Sequence, residues 1–68
     1  MSDGTVFAYA ADMEMGVIIS HDGKRYHFAK TDWRSPAITP EAGLIVRFEP
    51  AGSMALKISV VGRVSGRD

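Results

Sequence analysis

Between two runs of strand-forming residues, Gly16 to Ser20 and Lys24 to Ala29, the chain places the pair Asp22-Gly23. That pair specifies a tight β-hairpin, because the turn it favours needs positive φ, which glycine adopts without steric cost. Both arms agree with the turn. Gly16-Val17-Ile18-Ile19-Ser20 is rich in β-branched residues. In Lys24-Arg25-Tyr26-His27-Phe28-Ala29 the alternation sets Tyr26 and Phe28 on one face and Arg25 and His27 on the other.

Further strands follow from the same signals. Thr5-Val6-Phe7-Ala8-Tyr9 is β-branched and aromatic, and a short Ala-Asp-Met-Glu-Met connector joins it to the hairpin. Thr31 to Ala42 breaks the pattern: Thr31-Asp32-Trp33 opens at most one helical turn with Thr31 as cap, and Pro36 and Pro40 exclude a long helix or a central strand. This segment reads as a crossover loop. Leu44 to Glu49 is a fourth strand, Pro50-Ala51-Gly52-Ser53 a turn, and Ala55 to Val61 a fifth strand, with Leu56, Ile58 and Val60 alternating against Lys57 and Ser59. The domain is expected over residues 1–61, with 62–68 as a polar, frayed tail.

With 68 residues there is room for one compact core, and a deep enclosed active site is not expected. The hydrophobic share of 46% and charged share of 24% are those of a globular chain. There are no cysteines, so disulfides, thiolate metal sites and cysteine nucleophiles are excluded and stability rests on packing. Five short strands without an amphipathic helix suggest closure, which removes exposed edges. The expected fold is all-β, a five-stranded antiparallel Greek-key barrel; an open SH3-like arrangement of three and two strands is the structural competitor.

Charge is balanced overall, 8 Lys+Arg against 8 Asp+Glu, without the basic excess usual in nucleic-acid modules. It is unevenly spread. Residues 1–23 hold four acidic side chains and no basic ones, whereas residues 24–47 hold Lys24, Arg25, Lys30, Arg34 and Arg47 against two acidic ones. A solvated strand end and loop explain such clustering when it stands alone. No run approaches a membrane span and the amino end lacks a signal-peptide pattern, so a cytoplasmic location without membrane contact is the expectation.

Gly4-Thr5-Val6-Phe7-Ala8-Tyr9-Ala10-Ala11-Asp12-Met13-Glu14-Met15-Gly16-Val17-Ile18 lies without a gap on the pattern Gly-x-Val-Lys-Trp-Phe-Asn-x-x-Lys-Gly-Tyr/Phe-Gly-Phe-Ile. Tyr26-His27-Phe28-Ala29 sits where that pattern continues with Val-Phe-Val-His, and Thr31-Asp32-Trp33 on its Ser-Ala-Ile turn. Gly43-x-x-Val46-x-Phe48 and Ala55-Leu56-Lys57-Ile58 resemble Gly-x-x-Val-x-Phe and Ala-Val-Asn-Val. In these residues the chain resembles the cold-shock domains, members of the oligonucleotide/oligosaccharide-binding fold, in order and up to about Val61. The resemblance implies a barrel that binds single strands by stacking bases on exposed aromatics over a basic surface.

The departures fall on the stacking positions. Phe7 stands at the family's lysine, Ala8 at its tryptophan, Met13 and Glu14 at its Lys-Gly pair, Met15 and Val17 at aromatics, His27 at an exposed phenylalanine and Ala29 at its histidine; Tyr9 alone keeps a ring. The implied contact set is Phe7, Tyr9, Met15, Val17, Lys24, Arg25, His27 and Lys30, with Tyr9 and His27 stacking from one solvent-facing side and the cations neutralising phosphates. Each residue also has a plain structural role. Aromatics and Met on strands are more often core or edge packing, His27 serves equally as a solvated surface residue, and Trp33 suits a plug at one barrel end.

The functional expectation is a non-catalytic module binding single-stranded RNA or DNA weakly. The alternative is a structural or protein-interaction barrel, the amino-terminal module of a longer protein or a homodimer, that contacts its partner through Phe7, Met13, Met15 and Val17. Catalysis is not expected, because no Ser-His-Asp arrangement, phosphate-cradling loop or helical H-E-x-x-H is present. No cofactor is expected either. His21 beside Asp22 on a turn makes a poor metal site.

Overall fold

The structure, a computed structural model, describes residues 1–64. Five strands, β1 (Ser2–Ala10), β2 (Met15–Ser20), β3 (Arg25–Ala29), β4 (Leu44–Ala51) and β5 (Met54–Arg63), close into a barrel in the order β1-β2-β3-β5-β4. The all-β barrel expected from the sequence is therefore present, and its strand order is consistent with an oligonucleotide/oligosaccharide-binding type of fold. One departure concerns direction. β3 and β5 run parallel, whereas the other neighbours are antiparallel. The reason is topological: β4 intervenes in sequence but lies on the far side of β5, so β5 returns along the direction of β3.

Alternation along the strands builds the core. Val6, Ile18, Phe28, Trp33, Leu44, Val46, Phe48, Ala55 and Ile58 are buried together, with Tyr9, Tyr26 and Val60 packed against them. Asp22-Gly23 makes the expected turn between β2 and β3, with Gly23 at φ 87° and its N–H donating to the Ser20 carbonyl at 2.9 Å. After β3 the chain makes a 3₁₀ turn over Lys30–Asp32. Thr31 does not cap it; Ala29 occupies that position and no side-chain cap bond forms. Trp33 then lies buried, its ring stacked on Phe28 at 5.7 Å, and its indole N–H donates to the carbonyls of Ser35 and Ile38 at 3.0 and 2.7 Å.

Three bulges alter which side chains face inward. In β1, two steps from Val6 to Ala8 match one step of β2 from Ile18 to Val17, which makes Phe7 the extra residue. In β5, the three steps from Ser59 to Leu56 match two steps of β4 from Arg47 to Glu49, and Lys57 takes φ 52°. A second irregularity lies near Val61. The simple alternation expected for β5 therefore fails: Ala55 and Ile58 are buried, while Leu56 is only half-buried. The turn between β4 and β5 is also shorter than expected, because Pro50 and Ala51 belong to β4 and Gly52-Ser53 alone reverse the chain. At the carboxyl end, Gly62 and Arg63 pair with Ile45 and Leu44 and the Val64 N–H donates to the Gly43 carbonyl at 2.8 Å, so the barrel extends beyond residue 61; residues 65–68 of the expected tail lie outside the described residues.

Candidate functional site

The outer face of β1, β2 and β3 is built from residues that are paired in register and so point to the same side. Three rows cross it: Ala10, Met15 and Ala29; Ala8, Val17 and His27; Thr5, Ile19 and Arg25. The inward rows alternate with them, Tyr9, Gly16 and Phe28 followed by Val6, Ile18 and Tyr26. His27 and Arg25 are exposed, Val17 is half-buried, Met15 is 43% exposed, and the bulged Phe7 is 64% exposed beside Ala8. Phe7, Met15, Val17, Arg25 and His27 are thus brought together. Ala8 and Ala29, which stand at the family's tryptophan and histidine, lie on this floor too; the sequence reading missed Ala10 and the flanking Thr5 and Ile19, which become visible only through register.

Tyr9 does not share this face. The Phe7 bulge shifts the alternation by one residue, so Ala8 turns outward and Tyr9 inward, where its ring stacks on Phe28 at 6.0 Å and 13°. The expectation that Tyr9 and His27 present their rings on one side is corrected accordingly: Tyr9 is half-buried against the core and His27 faces solvent.

The cations divide as well. Lys24 lies at the β2–β3 turn and Lys30 just past the other end of β3, roughly 20 Å apart at the usual strand rise. They flank the face from opposite ends and do not form one cluster. Arg47, Lys57 and Arg63 form ion pairs with Asp3, Glu49 and Glu41 at 3.0, 3.8 and 2.7 Å. Among the described residues, Lys24, Arg25, Lys30 and Arg34 form none. At the β1–β2 turn, Asp12 and Glu14 are exposed. Glu14 holds the left-handed region at φ 55°, and its carbonyl accepts the Lys30 N–H at 2.9 Å.

Two shallow clefts lie elsewhere. One of about 170 Å³ is lined by Ser2, Asp3, Ser20, His21, Asp22 and Tyr26. Asp22 accepts bonds there from the Ser20 hydroxyl and, at 3.3 Å, from the Lys24 N–H, which hold its pKa below the ordinary carboxylate value. The Arg47 guanidinium bonded to Asp3 lowers that carboxyl likewise. The other, about 220 Å³, is lined by Lys30, Trp33, Pro36, Ile38, Thr39 and Pro40. Among the described residues no group of three or more His, Asp or Glu side chains is placed to hold a metal ion, and no helix is long and apolar enough to cross a membrane. No protein-family model matches the chain, and a search of the curated proteins finds no relative.

Proposed function

We propose that the barrel is a non-catalytic, cold-shock-like module that binds single-stranded RNA or DNA weakly on the outer face of β1, β2 and β3. The observation that carries this reading is the placement of the resembling positions. Ala8, Met15, Val17 and His27, which align with the family's stacking residues, lie on one open face beside the exposed ring of Phe7. Phe7 and His27 stack on bases; Arg25, Lys24 and Lys30 meet phosphates. A stacked base is worth ~1–3 kcal/mol, and Ala8, Met15 and Val17 offer no ring, which is why the binding is weak. Tyr9 takes no part. Titration with a fluorescent poly-pyrimidine strand, followed by amide shifts, tests the assignment. Shifts at Phe7, Val17 and His27 that diminish with salt are the expected result, and no response at low salt and high protein concentration rejects it.

A second reading is favoured by the apolar character of the same surface. Phe7, Met13 and Met15 are 64%, 65% and 43% exposed, and exposed apolar patches mark contact sites for other proteins. In that reading the face is a protein-interaction or self-association surface. Sedimentation at high concentration distinguishes it: a strict monomer, unchanged by Met15→Glu, counts against self-association.

A further inference from the structure

Resting on the nucleic-acid reading above, we infer that the face admits only a short single-stranded segment, about four nucleotides, and that Glu14 sets its limit at the β1–β2 turn. Along β3 the two outermost cations of the face, Lys24 and Lys30, stand roughly 20 Å apart at the strand rise per residue, with Arg25 between them. That span holds just two rings, Phe7 and His27. It suits the lower end of the ~4–16 nucleotides that single barrels of this type accommodate.

Among the described residues no basic track continues past either end of the face. The β1–β2 turn, whose Glu14 carbonyl accepts the Lys30 N–H, carries the exposed Asp12 and Glu14; beside Lys24 stands Asp22, fixed by the Ser20 hydroxyl. Arg47, Lys57 and Arg63 are tied to carboxylates, and the backbone of Arg34 is bonded to Ile58 of β5, away from β1 and β2. Glu14 is held in place at this boundary. Its left-handed backbone and the bond from the Lys30 N–H fix the turn, so its charge meets any phosphate that runs past Lys30. A glutamate tolerates φ 55° less readily than glycine does, so the position carries strain together with repulsion.

The test compares oligothymidylates of four and eight nucleotides by fluorescence anisotropy over a series of salt concentrations, with the wild-type chain and Glu14→Gln. The wild type is expected to bind both lengths within about fivefold, the number of four-nucleotide registers on the longer strand, with a log–log salt slope of about −2 for the three cations Lys24, Arg25 and Lys30. Glu14→Gln is expected to tighten the longer strand by about two- to fivefold at low salt and to leave the shorter one nearly unchanged. Wild-type binding of the longer strand more than about tenfold tighter, with a slope steeper than about −3, overturns the short footprint and leaves the binding surface standing. An equal effect of Glu14→Gln on both lengths overturns its role as the boundary. Absence of binding at either length overturns both the footprint and the nucleic-acid reading.

Discussion

Tyr9 lies over Phe28 across the gap that Gly16 leaves in β2. The three residues are neighbours in one inward row, and the two rings are 6.0 Å apart and nearly parallel. A Cβ at position 16 would stand 2.5 Å from the Phe28 ring and 2.6 Å from the Ala8 carbonyl oxygen. Neither neighbour is the loose end of a flexible side chain. Gly16→Ala is therefore expected to destabilise the barrel by about 2–3 kcal/mol, as a lowered midpoint in urea denaturation. An unchanged midpoint would mean that Phe28 has room to withdraw.

Glu14 occupies a backbone conformation suited to glycine. Glu14→Gly relieves that strain, partly offset by the greater freedom of the unfolded chain. We expect a net stabilisation of about 0.5–1 kcal/mol, read as a higher thermal midpoint. Glu14→Ala, which keeps the Cβ, should show no such gain.

Asp22 and Asp3 both have lowered pKa values, the first through the Ser20 hydroxyl and the Lys24 N–H, the second through Arg47. A carboxyl whose pKa is lower in the folded than in the unfolded chain adds stability above its unfolded value and loses it as pH falls through the folded one. Stability should therefore decline on acidification through the carboxylate range. Asp22→Asn, which keeps an acceptor oxygen but cannot titrate, should show a shallower decline in denaturation experiments across that range.

The indole of Trp33 fastens the loop after β3 through its bonds to the Ser35 and Ile38 carbonyls. Trp33→Phe retains a ring against Phe28 and removes both bonds. The expected loss is about 2 kcal/mol, or roughly 8–16 °C in the melting midpoint, with faster hydrogen exchange at the Ile38 amide.

On the binding face, Phe7→Ala and His27→Ala should each weaken oligonucleotide affinity by about five- to 150-fold, the equivalent of one stacked base. Tyr9→Phe should leave it unchanged, because that ring faces the core. An effect of Tyr9→Phe comparable to that of His27→Ala in the same titration would contradict the assignment.

Much of the barrel was legible in the sequence because its signals are local. Asp22-Gly23 announces its own turn, and the alternation that sets Tyr26 and Phe28 on one face of β3 matches their burial, with Arg25 and His27 exposed on the other. The bulges were not legible. Nothing in Thr5-Val6-Phe7-Ala8-Tyr9 distinguishes a regular strand from one that gains a residue against β2, since the extra residue is defined by the partner. That single step moved Tyr9 from the outer face to the core side. Lys57 misled for the same reason, its bulge bringing Ala55 rather than Leu56 to full burial. Of the residues in the implied contact set, Phe7, Met15, Val17, Arg25 and His27 lie on the outer face of β1, β2 and β3, and Tyr9 does not.

The cylinder is joined between β3 and β5 at one residue pair, His27 with Met54, reinforced by the His27 N–H donating to the Ser53 carbonyl at 2.8 Å. The backbone that fastens this join belongs to the same residue whose imidazole looks outward. The narrowest seam of the wall and an outward-looking imidazole thus share one position, so a substitution there that displaces the backbone, such as proline, would open the cylinder along that seam.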